Sequence, residues 1–347
     1  MGIKESIKQL QKREHITQDE LLRRLGCSRS SAMETGSAES AAAFQLAFGN
    51  DSTNHDNSCD TPNRSLTTSR KDKDLEKLLP WVRKFPIRAL QNMGYIPTNI
   101  KDAELVRAVF KFMQIGSIDG FNNYYGTTLH STNPQTHAAW IRLGELRVKR
   151  ATTEINLNRE IIFANLKFLR TNAFLHGQSL RKHTREALHN CGIEYIEVEP
   201  FLTAPIPTCA FYWRGNQPVI QFPTTKMDDS KFLDALFHAA AHMLLHPKRT
   251  MCLQLSDQAM PIPAQSNIAA SATAIAFESE AETFAQNMLL SEAEECEIIC
   301  CGSFNERRCI QHFSGVFHVR PGILVERLQQ QGKIKRRTPL NDFKIAV

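Results

Sequence analysis

Along most of the chain, apolar residues recur every three or four positions, and in one short region they alternate or cluster in fours and fives. The runs LEKLLPWVRKFPIRALQNMGYI, DAELVRAVFKFMQIGSIDGFNNYY, AAWIRLGELRVKR and IIFANLKFLR, between Leu75 and Arg170, carry the first pattern with Pro and Gly between them. They predict an all-helical module ending near Phe174. After His189 the period changes. EYIEVE, CAFYWR and QPVIQF are rich in β-branched and aromatic residues and are separated by Pro and by Gly215-Asn216, which predicts a small antiparallel sheet. A helix follows at KFLDALFHAAAHMLLH, with Asp228, Asp229 and Ser230 as candidate caps and Pro247 as its stop. Met251 to Ser271 has no strong pattern and reads as a loop. Beyond it ATAIAFESEAETFAQNMLLSEAEE is a second long amphipathic helix.

The first 48 residues hold two or three short helical patterns. Thr17 is a good N-cap, Glu20 completes a capping box, and Gly26 ends the helix. Residues 49–76 are polar and almost free of large apolar side chains, so they read as a linker that buries too little surface to order itself. The chain therefore divides into an N-terminal helical region over 1–48, a linker over 49–76 and a helical module over 77–180. A domain containing the sheet and the helix pair follows over 181–292, and a C-terminal helical region over 293–347. The fold class is α+β, mostly helical.

The chemistry concentrates in LFHAAAHMLLHPKR, Leu236 to Arg249. On a helix His238 and His242 lie about 40° apart around the axis and roughly 6 Å along it, which suits two imidazoles meeting at one ion. His246 lies roughly 12 Å from His238 along a straight helix, so it reads as a supporting residue near the helix end. The apolar residues between them cover much of the circumference, and buried imidazoles require partners. A lone buried His is usually a satisfied core residue, but a pair at this spacing after a sheet points to a metal. The next helix can supply a third ligand. Glu280 lies beside Phe277 and Phe284 of its apolar stripe, although it also fits a surface position at the margin of that stripe.

Composition narrows the picture without deciding it. The 347 residues have room for two or three domains, and a net charge of +6 is compatible with nucleic-acid contact. No apolar run approaches the roughly 20 residues of a membrane span, and the default expectation is a cytoplasmic protein with no membrane partner. Nine cysteines without regular spacing do not form a disulfide framework. Cys296, Cys300, Cys301 and Cys309 cluster, but no C-x-x-C pair occurs among them. Neither a GxGxxG nor a P-loop pattern is present.

With these residues in view, the chain resembles the ImmA/IrrE family of zinc metallopeptidases. LFHAAAHMLLH is similar to that family's LFHELGHLLLH, and Glu278-x-Glu280-Ala281-x-x-Phe284-Ala285 to its E-x-E-A-x-x-F-A. WVRKFPIRALQNMGYI, FMQIGSIDGF, AAWIRLGELR, PVIQF and the closing FSGVFHVRPGILVERLQQQGKI follow in the family's order, so the resemblance spans roughly residues 77–335. TQDELLRRLG in turn resembles the start of an XRE-type helix-turn-helix, but Glu34-Thr35-Gly36 arrives about two residues early for that pattern. The region reads equally as a DNA-binding element or as a protein-interaction arm.

The resemblance implies a zincin-like helix pair with His238, His242 and Glu280 as zinc ligands and a fourth position left for water or substrate. It also implies a general-base Glu at the position that Ala239 occupies. An alanine cannot take a proton from metal-bound water, so hydrolysis should fall by roughly 10²-fold to 10⁴-fold or more. Glu278 is a poor substitute base by direction, since it points about 160° away from Glu280 at 100° per residue. Three readings stand. The first is a zinc endopeptidase acting on a protein partner, a transcriptional regulator by resemblance, in a base-deleted form. The second is a natural pseudopeptidase acting as a DNA-binding or antitoxin-like regulator. The third is a metal-free helical scaffold.

Overall fold

A computed structural model describes residue 11 and residues 16–26, 38–48, 72–148, 157–172, 177–248, 251–255 and 268–347. The chain forms two compact units: Met1–Leu146 with Phe201–Pro205, and Arg147–Pro200 with Ile206–Val347.

The first unit is helical. Helices α1 (Gln18–Leu25) and α2 (Ala38–Phe48) belong to the same unit as α3 (Leu79–Val82), α4 (Ile87–Asn92), α5 (Asp102–Met113), α6 (Ile118–Tyr124) and α7 (Pro134–Arg147). Thr17 caps α1 as expected, accepting from the Glu20 amide at 3.2 Å, and Gly26 closes it in the left-handed conformation at φ 75°. Of the residues read as a linker, 49–71 lie outside the described residues and 72–76 are helical.

Leu21 and Leu25 of α1 pack in an apolar cluster with Ala43, Ala47 and Phe48, and a buried polar network adds a second anchor. Arg24 is fully buried and donates to Glu145 at 2.7 Å, to Glu20 at 3.1 Å and to the Met113 carbonyl at 3.3 Å. Its guanidinium carbon lies 3.6 Å from the Tyr124 ring centroid, and Arg142 donates to the other oxygen of Glu145 at 2.7 Å. Burial opposes the Arg24 charge, and Glu145 with Tyr124 and Tyr125 outweigh it, so the guanidinium stays protonated. At Gly120 a Cβ would stand 2.1 Å from the Arg24 carbonyl oxygen, so only glycine allows α6 to approach α1 this closely.

The second unit is α+β. It begins with α8 (Arg159–Thr171) and α9 (Gly177–Asn190), followed by β1 (Glu194–Val198), β2 (Pro207–Arg214) and β3 (Gln217–Pro223). After α10 (Asp229–Leu245) comes a fourth strand, β4 (Cys252–Leu255), in the stretch expected to be loop, and then α11 (Ile268–Leu289). Helices α12 (Glu292–Cys300), α13 (Arg307–Phe317) and α14 (Pro321–Gln330) complete the unit.

The sheet order is β1-β3-β2-β4, and the sheet is mixed rather than antiparallel. The first three strands do reverse direction in turn, with Gly215 at φ 62° in the β2–β3 turn. But β3 inserts between β1 and β2, so it pairs antiparallel with β2 and parallel with β1, placing Tyr195 opposite Ile220. Strand β4 adds antiparallel to the free side of β2, with Cys252 opposite Phe211. One apolar core joins the sheet to α10: Phe211, Ile220, Phe222, Phe232, Leu236 and Ala240 are each completely buried. Among the described residues no helix is long and apolar enough to cross a membrane.

Candidate metal centre

Helix α10 starts where Asp228 accepts from the Lys231 amide at 2.9 Å, a cap worth about 1 kcal/mol. It runs seventeen residues, thirteen of them buried, which holds His238 and His242 in register. Their Nε2 atoms lie 3.1 Å apart. Helix α11 lies beside α10 and turns Glu278 toward the pair, with its carboxylate oxygens 3.1 Å from His238 Nε2 and 3.4 Å from His242 Nε2. From the sheet edge β4 brings the Cys252 thiol. One donor atom from each of His238, His242, Cys252 and Glu278 falls within 4.8 Å of every other.

These separations suit a single small ion. Bonds of 2.0–2.1 Å to nitrogen or oxygen put tetrahedral ligand atoms roughly 3.3 Å apart. The donor set, two imidazoles with one thiolate and one carboxylate, is that of zinc and its neighbours rather than of magnesium or calcium.

The sequence-predicted residues divide between this group and its surroundings. His238 and His242 are in it. Glu280 is not: its side chain is 60% exposed and its carboxylate lies 3.2 Å from His246 Nε2. The buried face of α11 is marked by Ala281 and Ala285, both at 0% exposure, whose small side chains let the helix approach closely, while the large Phe277 and Phe284 flank that face. Glu278 precedes Ala281 by three positions and shares its side of the helix. Ala239 is 1% exposed and lies in the apolar core, in the same cluster as Cys252. Cys252 carried no signal in the sequence, because its place depends on β4 pairing with a strand some forty residues earlier.

Behind the donor atoms stand carboxylates that orient the rings. Glu282 lies 3.3 Å from His238 Nδ1 and is itself held by Gln286. His246 leaves the helix in an extended conformation as its C-cap, which brings its Nδ1 within 3.0 Å of His242 Nδ1. Its ring stacks on Phe277 at 4.2 Å between centroids. A relay therefore runs from Glu280 through His246 to His242. With a metal held at Nε2 of His238 and His242, each Nδ1–H would donate outward, to Glu282 and to His246, an arrangement that fixes tautomer and ring orientation at metal sites.

Electrostatics point the same way. Burial disfavours the imidazolium of His238, but Cys252, Glu278 and Glu282 outweigh it and push the group up to about 12. His242 is pushed up to about 9, where burial is again outweighed by Cys252 and Glu278. Against the cost of their own burial, His242 draws the Cys252 thiol down, and His238 and His242 hold Glu278 well below the usual carboxylate range. Burial and the adjacent His242 lower His246, consistent with a neutral relay. The acidic groups favour positive charge on the two rings, and the rings favour negative charge on Cys252 and Glu278, so the group as a whole favours a positive charge at its centre, which a divalent ion would supply.

No protein-family model, curated protein or solved structure matches the chain.

Proposed function

We propose that the second unit is a zinc-binding domain of metallopeptidase type that holds its metal without hydrolysing a substrate, and that the chain acts as a regulator through a protein partner. The observation that carries this reading is Cys252 in the donor group. Catalytic zinc keeps a position open for water, whereas structural zinc is closed by four protein ligands. With His238, His242 and Glu278, the Cys252 thiolate makes four. When bound, the metal ties α10, β4 and α11 together and would act as a Lewis acid only if a position opened. Position 239 holds an alanine instead of a proton acceptor, so the two features that hydrolysis needs, a vacant coordination position and a base, are missing together.

This coincidence favours a natural pseudopeptidase over a peptidase disabled at one residue. The resemblance to ImmA/IrrE proteins motivates the regulatory partner, and DNA contact through the N-terminal region extends the same reading. Residues 27–37, where the recognition helix would fall, lie outside the described residues.

Purified full-length chain should carry about one zinc, and its cobalt-substituted form should show the intense near-ultraviolet thiolate band, which Cys252→Ser removes. Fluorogenic casein should stay intact with the parent chain and with Ala239→Glu alone. Zinc-dependent cleavage by the parent chain would overturn the closed-site reading. A protein that binds no metal and is indifferent to chelators would overturn the domain assignment itself. Cleavage gained only in the Ala239→Glu, Cys252→Ala double variant would establish peptidase ancestry.

A further inference from the structure

The cysteine cluster near the C-terminus plays no part in the metal centre, yet the fold treats two of its members differently from the rest. Cys301 caps the end of α12 and Cys309 is the third residue of α13. Their Sγ atoms lie 3.0 Å apart. Cys301 is exposed and Cys309 partly so.

Both thiols are held by rigid elements. Helix α12 opens with a Ser291–Glu294 capping box, buries Ile298, and is tied down by Arg170 to Glu294 at 2.6 Å and Arg327 to Glu295 at 2.7 Å. Helix α13 buries Ile310 and Phe313 in the same apolar cluster as Ile298. Between the helices Gly302 turns the chain at φ 73°, and the Glu306 amide donates to the Ser303 carbonyl at 2.9 Å. Two sulfurs fixed in this way need approach by only about 1 Å to reach the 2.03–2.05 Å of a disulfide.

We propose that Cys301 and Cys309 form a dithiol site that exchanges with low-molecular-weight disulfides of the glutathione type, closing to an intrachain disulfide and reopening under reducing conditions. The Cys301 thiolate attacks one sulfur of the small disulfide, whose S–S bond breaks and releases a first small thiol. The Cys309 thiolate then attacks the Cys301 sulfur of the mixed disulfide and releases the second. In sum two protein thiols are oxidised, one disulfide is reduced to two thiols, and the two protein protons leave with them.

The order follows from access. Cys301 is the more exposed sulfur and enters first. Burial, followed by the adjoining Cys301, holds Cys309 up to about 12, so it resolves slowly and faster as pH rises. Closure cross-links the C-terminal end of α12 to the first turn of α13 across the Gly302 turn, and through that turn reaches the cluster containing Ile298, Ile310 and Phe313.

The test uses the full chain, equilibrated with oxidised and reduced glutathione, then alkylated, digested and mapped by mass spectrometry. One intrachain Cys301–Cys309 link is expected, with a rise in the melting temperature of about 5 °C. In Cys309→Ser a glutathione adduct should persist on Cys301, while Cys296→Ser and Cys300→Ser should close like the parent. The proposal fails if both thiols remain free to alkylation at ratios that oxidise a model dithiol. It also fails if the link forms to Cys296, to Cys300 or between chains. Because the readout is the covalent map, it is independent of whether the zinc reading stands.

Discussion

On the proposed arrangement, Glu278 is a ligand and Glu280 a support, and replacing each in turn separates the two roles. Glu278 sits 3.1 Å and 3.4 Å from the two Nε2 atoms, with 25% of its side chain exposed. Glu278→Gln removes an anion from a centre whose charge it helps to balance. Deleting one partner of a buried, hydrogen-bonded charge group costs about 3–5 kcal/mol, so zinc affinity should fall by roughly 10²-fold to 10⁴-fold. Glu280→Gln acts two imidazoles away, through a half-solvated contact with His246 at 3.2 Å. Losing a support of this kind costs about tenfold to a hundredfold, and the 60% exposure of Glu280 places it at the lower end. The assay is competition for zinc against a chromophoric chelator, with circular dichroism to confirm that both variants fold. A larger loss in Glu280→Gln than in Glu278→Gln would refute the arrangement described here and restore Glu280 as the ligand.

Other outcomes follow from the same geometry. Glu282→Gln, which weakens the acceptor at His238 Nδ1, should reduce zinc affinity by about tenfold to a hundredfold without changing the cobalt thiolate band. In the metal-free protein His242 is raised to about 9, so its contribution to stability is complete below its ordinary value near 6.5 and is lost as pH rises through 9. For His242 that loss is at most about 3–4 kcal/mol, and His238, raised to about 12, prolongs it, so melting scans in chelator should show destabilisation that begins near pH 7, continues above pH 9 and is abolished by zinc. Zinc binding must displace those protons, so its apparent affinity should weaken as pH falls, and calorimetry in buffers of different ionisation enthalpy should detect proton release. In the first unit Arg24→Met leaves Glu20 and part of Glu145 uncompensated at 0–4% exposure and should cost about 3–5 kcal/mol in denaturant unfolding. A change below 1 kcal/mol would mean that the buried network does not anchor α1.

The candidate donor residues show where sequence reasoning holds and where it stops. The His238–His242 spacing is a local property of any helix, and the helix itself was predictable from its caps and apolar pattern. Choosing between Glu278 and Glu280 required knowing which face of α11 meets α10. The apolar stripe of Phe277, Ala281, Phe284, Ala285 and Met288 leaves a glutamate at each margin, and the most buried part of that stripe is at Ala281 and Ala285, on the side of Glu278. His246 lies outside the group of four donor residues. Its link to His242 arises because the chain leaves the helix there in an extended conformation.

What the sequence alone determined is therefore what depends on neighbours a few residues apart: the α+β character, three of the four strands, the capped helices and a metal-ready pair of imidazoles. Tertiary structure decided what depends on distant segments meeting. It inserted β3 between β1 and β2, drew the helix bearing Arg24 into the first unit against Glu145, and selected Glu278. It also carried Cys252, on an edge strand of four residues, to within reach of His238, His242 and Glu278. The physical reason is common to all of these. Periodicity and capping are set by backbone geometry within a turn or two, whereas strand order, helix rotation and the pairing of buried charges are settled only by the packing of the whole unit.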